Sequence, residues 1–274
     1  MSTASEGAPA SVSPDSEAKA TGGRSSLRVM SYNIQVGITT SRPHHYLVHS
    51  WKHLLPHPQR LTNLDRIAKV IREFDIVGLQ EVDAGSLRSN FINLTEYLAE
   101  QGDFPFWYHQ VNRNLGRFAQ HSNGLISRLR PTYLDDLRLS GLIPGRGAIM
   151  AHFGNGPQPL VVILLHLALS RRARIRQLMQ VAEIINEYEH VVVMGDMNCY
   201  PGSREMDVLF ERTQLREPIE EMLTFPSWRP QRHIDHILVT PGFQVNEVRV
   251  LNHAYSDHLP IVMELELPPG VHLV

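Results

Sequence analysis

The sequence predicts an α/β sandwich fold, in which two mixed β-sheets pack face to face and flanking helices complete four layers. Apolar runs of strand length, rich in Val, Ile and Leu, outnumber the segments with helical spacing. Many of these runs are joined by short turns, whereas others are separated by a helix. Short turns give antiparallel pairs and helical crossovers give parallel pairs, so both sheets are expected to be mixed. The apolar content is ample for a sizeable core, and one domain is the better interpretation.

The individual elements follow from periodicity and turn signals along the chain. Apolar residues at helical spacing predict helices at 60–73, 89–101, 171–188 and 203–211. Short apolar runs bounded by turn residues predict strands at 27–34, 74–79, 105–111, 123–128, 134–140, 146–153, 160–165, 191–195, 234–239, 247–251 and 260–265. A turn at Pro144-Gly145 is expected between the strands at 134–140 and 146–153.

Composition limits the organisation and the class of the protein. Residues 1–26 are rich in Ala, Ser, Gly and Pro, which predicts a disordered tail without the apolar stretch of a secretory signal. We expect one domain over 27–267 and a C-terminal tail at 268–274. The formal net charge of −2 gives no global basic field for nucleic acid, and no apolar run reaches membrane-spanning length. The one cysteine, Cys199, excludes an intramolecular disulfide and favours a cytoplasmic location.

The most informative stretch is the apolar run 191–194 followed by Gly195-Asp196-Met197-Asn198 and a Pro-Gly turn. A buried strand here brings one carboxylate and one amide to the edge of a sheet. Their i, i+2 spacing puts both short side chains on the same side of an extended segment. Such a pair suits a cation or phosphate site, although Asp and Asn after a strand also form ordinary turns.

The same pattern recurs at other strand ends. Polar residues end or begin apolar strands at Asn33, Glu81, His166, Asp196 with Asn198, Asp235, and Asp257-His258. Each has an ordinary explanation by itself, such as a capped turn, a solvated strand end or a hydrogen-bonded core histidine. Their repetition indicates one site, because strand ends are where a rigid scaffold holds reactive groups.

In chain order, SYNI, LQEVD, HL, GDMN, IDHI and SDHLP resemble the motifs of the endonuclease/exonuclease/phosphatase superfamily, over roughly residues 27–267. This superfamily contains nucleases, inositol-phosphate phosphatases and sphingomyelinases, and its fold is a two-sheet α/β sandwich. The resemblance therefore implies a catalytic domain that hydrolyses a phosphodiester by water attack. The alternative to an enzyme is a binding module that keeps this fold but does not catalyse a reaction.

The resemblance also implies a metal site. The matching Glu of the family binds the metal, so Glu81 is the expected first ligand, with Asn33 and Asp257 as supporting members. Mg²⁺ prefers oxygen ligands and keeps several waters, so a few such groups suffice. We expect Mg²⁺ as the cofactor, with Mn²⁺ as a substitute.

The remaining motif residues are expected to act on the phosphate and the attacking water. In family members the residues matching Asp196 and Asn198 face the scissile phosphate, where the first would orient or deprotonate water and the second would donate to a phosphate oxygen. His258 with Asp235 resembles the family's carboxylate–histidine pair, and His166 would add a second imidazole. Which histidine is acid or base stays open.

Three further positions relate less directly to the motifs. Arg146 matches an Arg-Gly step that enters a strand in relatives, and it would brace the site, reach phosphate or simply cap a surface turn. Asn123, in HSNGLISR, is expected to contact substrate. His236 replaces the aromatic residue frequently found after the Ile-Asp pair, which leaves the role of its ring open.

The substrate is less well determined than the reaction. The basic cluster Arg171, Arg172, Arg174 and Arg176 is either a solvated helix start or a phosphate contact. The His-rich insertion at 38–60 is either a lid packed on its own domain or a peripheral membrane contact, and its spacing defines no metal geometry. Without a basic track, a lipid-like or small-molecule phosphodiester is favoured over a nucleic acid, which remains the alternative substrate.

Overall fold

The computed structural model describes residues 25–37, 59–114, 120–140, 146–218 and 221–273. The described strands are β1 (Ser26–Asn33), β2 (Ile76–Asp83), β3 (Phe106–Asn114), β4 (Gln120–Ser127), β5 (Pro131–Leu137), β6 (Gly147–Phe153), β7 (Leu160–His166), β8 (His190–Asp196), β9 (Asp235–Val239), β10 (Gln244–Val250) and β11 (Ile261–Glu266). The described α-helices are α1 (Gln59–Ile71), α2 (Leu94–Gln101), α3 (Arg171–Ile185) and α4 (Arg204–Arg212).

The strands form two mixed sheets. A six-stranded sheet has the order β10-β11-β1-β2-β4-β3, and a five-stranded sheet has the order β5-β6-β7-β8-β9. The neighbours β1 and β2 are parallel, as are β7 and β8, whereas the other pairs are antiparallel. This arrangement is the predicted α/β sandwich.

Alternation along the buried strands explains the four layers. On β7, Leu160, Val162 and Leu164 face the other sheet in the central core. The intervening Val161, Ile163 and Leu165 pack with α3 and α4 instead. Both faces of β7 are therefore covered, which is why its sequence is continuously apolar. On the outer face of the six-stranded sheet, side chains of β1 and β2 pack with α1 and α2.

The parallel pairs bring their carboxyl ends to one edge of each sheet. In the six-stranded sheet, Asn33 at the end of β1 is the register partner of Gln80 on β2. In the five-stranded sheet, His166 is the partner of Asp196, and Asp196 is the partner of Asp235. The predicted strand-end residues consequently meet at one rim of the sandwich.

Several predicted boundaries shift, and each shift has a local reason. The strand predicted at 134–140 lies at Pro131–Leu137, and the helix predicted at 171–188 ends at Ile185. Strand β2 continues past Leu79 to Asp83 because a β-bulge accommodates Glu81. The turn at Pro144-Gly145 lies outside the described residues, as does the insertion 38–60 except for its last residues, which begin α1.

The C-terminal segment packs more closely than a tail would. Val271 and Leu273, in the predicted tail at 268–274, are buried in the central core. Their apolar side chains explain this packing, which the short segment alone did not indicate. No helix of the described residues is long and apolar enough to cross a membrane.

Candidate active site

Four carboxylates and two histidines meet at the rim shared by the two sheets. Asp196 is the central group, because its Oδ2 lies 3.6 Å from His166 Nε2 and 4.0 Å from His258 Nε2. His166 Nε2 lies 3.9 Å from Glu81 Oε1. Glu81 comes from the six-stranded sheet and Asp196 from the five-stranded sheet, so the cleft forms only when the two sheets pack.

Glu81, the predicted metal ligand, is placed by a distortion of its strand. Its φ of 55° is left-handed, and the pairing of β2 with β4 shifts register at this point. Its side chain remains 31% exposed, whereas Asp196, Asp235 and Asp257 are buried. Burial of the group and the nearby Asp257 carboxylate raise the pKa of Glu81, and His258 and Arg146 partly offset this. A cation beside Glu81 would relieve that repulsion.

Asn33 and Asp257 lie around Glu81 and are tied to their neighbours. Asn33 Nδ2 donates to Asp196 Oδ2 at 3.1 Å, while Asn33 Oδ1 accepts from the backbone N–H of Gln35 at 3.2 Å. Gln35 Nε2 donates to Asp257 Oδ2 at 3.0 Å. The two predicted supporting residues are thus linked through Gln35, which the sequence prediction did not include.

The 195–199 turn holds Asp196 and Asn198 in fixed positions. Asp196 Oδ1 accepts from the backbone N–H of Asn198 at 3.0 Å, and Asn198 Nδ2 donates to the Leu167 carbonyl at 3.1 Å. Gly195 is required here because its φ is 144° and an added Cβ would lie 2.0 Å from the Leu165 carbonyl oxygen. Burial, followed by the charges of Asp235 and Glu81, raises the pKa of Asp196 to about 7, although His258 opposes the shift.

His258 and Asp235 form the expected carboxylate–histidine pair. The distance between His258 Nδ1 and Asp235 Oδ2 is 2.8 Å, and Thr224 Oγ1 donates to the same oxygen. Burial alone would lower the pKa of His258, but Asp235 raises it to about 10, with smaller contributions from Asp196 and Asp257. The ring therefore carries a positive charge at neutral pH, with Nε2 directed towards Asp196.

Arg146 and His166 form a second pair on the opposite side of Asp196. Arg146 Nη1 contacts His166 Nε2, and the Arg146 guanidinium is half-buried. Since an arginine side chain can only donate, His166 Nε2 is the acceptor in this contact. His166 and His258 thus have different partners, Arg146 for the first and Asp235 for the second.

Asn123 lies behind this pair. It is fully buried, and its Nδ2 donates to the Gly147 carbonyl at 3.1 Å. Gln110, its register partner on β3, donates to the next carbonyl, that of Ala148, at 2.9 Å. These contacts hold the start of β6, directly after Arg146. The predicted contact of Asn123 with substrate stays a prediction.

The basic cluster after His166 is partly neutralised. Arg174 pairs with Glu205 at 2.6 Å and donates to the Leu169 carbonyl, and Arg171 lies 3.5 Å from the same carboxylate. Glu205 is buried on α4, so these two arginines fasten α3 to α4. Arg172 and Arg176 are exposed on α3.

A second cluster of titratable groups lies beneath the 195–199 turn. His236 Nδ1 lies 2.7 Å and His233 Nε2 lies 3.1 Å from Glu217 Oε1. This cluster and the group Asp196, Asp235 and His258 are the described His and carboxylate sets compact enough to surround a metal ion.

Sequence reasoning missed Gln35, Thr224 and Glu217. Gln35 offers a signal, because it follows Asn33 by two residues at the same strand end. Thr224 and Glu217 offer none, because their partners Asp235 and His236 are distant in sequence and are reached through an irregular segment.

The motifs and the geometry agree with comparisons to known proteins. The sequence profile of the Endonuclease/Exonuclease/phosphatase family matches residues 30–258. Because the match covers most of the chain, the protein belongs to that family. No curated protein matches the sequence.

Solved structures of the same family share the fold. An endonuclease/exonuclease/phosphatase from Beutenbergia cavernae is 22% identical with a TM-score of 0.68, covering 90% of this chain and 73% of its own. A mannosyl-6-phosphatase of Bacteroides thetaiotaomicron is 20% identical with a TM-score of 0.65 and coverages of 87% and 99%. A humanized D. rerio TDP2 is 16% identical with a TM-score of 0.64 and coverages of 88% and 99%.

The family defines the class of reaction. Endonucleases, exonucleases and phosphatases all hydrolyse phosphoric ester bonds, and this protein is a hydrolase of that class. Members of the family generally depend on divalent metal ions, and the rim carries acidic and histidine groups able to bind one.

Proposed function

We propose that the protein is a Mg²⁺-dependent phosphodiesterase that acts on a lipid-like or small-molecule substrate, with its catalytic unit in the domain that begins at residue 27. The observation that carries the proposal is the convergence of His166, a charged His258 and Glu81 around Asp196. A general base, donors for phosphate oxygens and a cation ligand are thereby within reach of one phosphorus atom.

The charge balance of the rim supports a divalent cation. Glu81, Asp196, Asp235 and Asp257 offer four negative charges when ionised, against the positive charges of Arg146 and His258. Burial of the group and the nearby Asp257 carboxylate raise the pKa of Glu81, and a cation beside it would offset both. Glu81 would bind the cation directly, with Asn33 and Asp257 beside it. The bound ion would polarise the phosphate and stabilise the leaving oxygen.

Asp196 is suited to activate the attacking water. With a pKa raised to about 7, its carboxylate accepts a proton far more readily at neutral pH than an exposed Asp does. One oxygen is held by the backbone N–H of Asn198 and the other by Asn33 Nδ2, so the direction of the base is fixed. The water gives its proton to Asp196 as its oxygen attacks phosphorus.

Three groups are suited to stabilise the charge that develops on the phosphate. The protonated ring of His258 donates from Nε2, and its Asp235 partner keeps it charged. Asn198 has one amide N–H on the Leu167 carbonyl and a second one available to a phosphate oxygen. Arg146 supplies a permanent positive charge beside His166.

Exposed apolar side chains follow the strands that end at the rim, and they favour an apolar substrate. Among the described residues six large apolar side chains are exposed, and three of these follow the strands that carry Glu81, His166 and Asp196: Phe91 at 62%, Leu169 at 73% and Tyr200 at 47%. The pairing of Arg171 and Arg174 with Glu205 also removes two cations from a track for a polyanion.

Hydrolysis of bis-p-nitrophenyl phosphate tests the reaction. The wild type should require Mg²⁺ or Mn²⁺ and lose activity in EDTA. Asp196→Asn and His258→Asn should each reduce kcat by at least about 100-fold, the usual contribution of an acid–base or charge-stabilising group. Glu211→Gln, which neutralises a carboxylate that is 62% exposed on α4, is the matched control and should retain full activity. Equal rates in all four proteins would refute the assignment.

A parallel substrate panel tests the substrate class. Sphingomyelin, phosphatidyl lipids, inositol phosphates, single-stranded RNA and plasmid DNA are assayed with EDTA controls. A lipid or small diester should be cleaved faster than either nucleic acid. Nicking of plasmid faster than cleavage of every lipid would identify a nuclease instead.

A further inference from the structure

His236 connects the 195–199 turn to the half-buried Glu217 carboxylate on the far side of its ring. The ring is fully buried, with Nε2 2.9 Å from the Cys199 carbonyl oxygen and Nδ1 2.7 Å from Glu217 Oε1. Both partners are acceptors, so both ring nitrogens donate. A ring with two donors satisfied by two fixed acceptors can take only one orientation.

The contact with Cys199 lies at the outgoing end of the turn. At the incoming end, the Asp196 carbonyl accepts from Leu167 and the Met197 N–H donates to the Ile234 carbonyl. After Cys199 the chain becomes exposed at Tyr200 and turns through Gly202, around which nothing lies within 4 Å of an added Cβ. His236 therefore holds the turn at a point where strand β8 has already ended and no longer supports it.

The donor arrangement argues against a metal ion in the cluster of Glu217, His233 and His236. The backbone N–H of Met222 donates to His233 Nδ1 at 3.1 Å, so that nitrogen carries a lone pair. The proton of a neutral His233 is then on Nε2, the atom that faces Glu217, and no lone pair remains there for a cation. His233 therefore lacks the donor atom that a second metal centre would need here.

We propose that His236 is a positioning residue for hydrolysis. Its ring links the Cys199 carbonyl to Glu217, and this link fixes the direction of the Asp196 and Asn198 side chains. The inference rests on the proposed function, in which these two side chains direct the water and the phosphate. It gives a role to a buried ring whose function the sequence left open.

Two conservative variants separate the two hydrogen bonds of the ring. The amide nitrogen of Asn takes the place of ring Nδ1, so His236→Asn keeps the contact with Glu217 and loses the contact with Cys199. The amide nitrogen of Gln takes the place of ring Nε2, so His236→Gln keeps the contact with Cys199. Only the first variant should release the turn.

The thiol of Cys199 reports on the turn without any need for catalysis. It is the single cysteine of the chain, it is 2% exposed, and burial raises its pKa to about 12. With 5,5′-dithiobis(2-nitrobenzoate), the Cys199 thiolate forms a mixed disulfide and displaces one nitrothiobenzoate thiolate, whose absorbance is followed. We expect His236→Asn to react at least about tenfold faster than wild type, the effect of losing one hydrogen bond, and His236→Gln to react like wild type.

The second readout is the hydrolysis of bis-p-nitrophenyl phosphate. His236→Asn should lower kcat by about tenfold or more, because small misplacements of a reacting group slow the chemical step. The Mg²⁺ concentration for half-maximal activity should not change, since Glu81 belongs to the other sheet. His236→Gln should restore most of kcat, which a loss of general stability would not explain.

His233→Gln is the matched control. His233 is similarly buried, stacks on His236 with 4.6 Å between ring centroids and faces the same Glu217 oxygen. Its side-chain nitrogens contact Met222 and Glu217 rather than the turn. All proteins are measured well below the lowest melting temperature. The control should react and turn over like wild type.

The outcomes separate the inference from the proposed function. If His236→Asn matches His233→Gln in both readouts, or loses activity without faster thiol labelling, positioning through the turn is refuted. If the wild type hydrolyses none of the phosphate esters but the labelling difference is found, the proposed function is refuted while the hold of His236 on the turn is supported.

Discussion

Replacing Glu217 by Gln should remove a charge interaction whose contribution to stability depends on pH. Its carboxylate contacts the rings of both His233 and His236, and its side chain is 13% exposed. Burial would raise the pKa of Glu217, but the hydrogen bonds and charges of the two histidines lower it to about 2. The carboxylate is therefore much more stable in the folded protein than in the unfolded chain.

The magnitude follows from the pKa change. A fall from 4.5 to about 2 corresponds to about 3 kcal/mol of folding free energy. Because the folded pKa is lowered, this contribution is complete above the unfolded value of 4.5 and is lost as the pH falls towards 2. Burial opposes the charged form of His236, but Glu217 raises its pKa above 6.5, so its contribution is complete below 6.5 and is lost as the pH rises through the folded value.

Urea unfolding of wild type and Glu217→Gln at several pH values measures this dependence. The difference in free energy of unfolding should be largest between pH 4.5 and 6.5 and should shrink by about 2 kcal/mol when the pH is lowered to about 3. Glu211→Gln, at an exposed carboxylate, should differ from wild type by less than about 0.5 kcal/mol throughout. A Glu217→Gln difference that is the same at pH 3 and pH 6 would refute the reasoning.

Three further predictions concern the rim. Gly195→Ala should destabilise the fold by about 3 kcal/mol or more in urea unfolding, because φ is 144° and the new Cβ would meet the Leu165 carbonyl; a loss below about 1 kcal/mol would contradict this. Asn123→Ala should lower the free energy of unfolding by about 1–3 kcal/mol. It should also lower kcat, because Asn123 holds the Gly147 carbonyl directly after Arg146; an unchanged kcat would show that Asn123 does not act on the site. The activity of the wild type should rise with pH as Asp196 ionises, and increasing Mg²⁺ should move this rise to lower pH; the same rise in Asp196→Asn would exclude that carboxylate as its source.

Much of the fold could be predicted because its central strands are buried on both faces. The run 160–165 is apolar without interruption, and β7 follows it with one added residue, His166. Boundaries shifted where the backbone leaves regular geometry. Apolar patterning cannot indicate a β-bulge, so β2 was expected to end before Glu81 instead of continuing around it. The packing of Val271 depends on a surface formed by distant strands, which a local pattern does not contain.

The candidate site was predictable where a residue ends a strand and not where it supports one from a loop. His166, Asp196 and Asp235 are register partners on adjacent strands, so their meeting follows directly from sheet topology. Thr224 contacts Asp235 and Glu217 contacts His236 from an irregular segment, where no periodicity exists to be read. The different partners of the two histidines, Arg146 for His166 and Asp235 for His258, also required coordinates.

Left-handed backbone at the rim has a consequence for selection and engineering. Gln35, Glu81 and Asn198 all have positive φ without being glycine, at 44°, 55° and 53°. Each such residue costs about 1 kcal/mol or more relative to glycine at the same position. Random libraries screened only for thermostability should therefore enrich Glu81→Gly and Asn198→Gly, and the most heat-resistant survivors would be inactive. Screens for heat-resistant variants of this enzyme therefore need a turnover assay as a second criterion. Glycine relieves the backbone strain at these positions, whereas hydrolysis needs the side chains that are there.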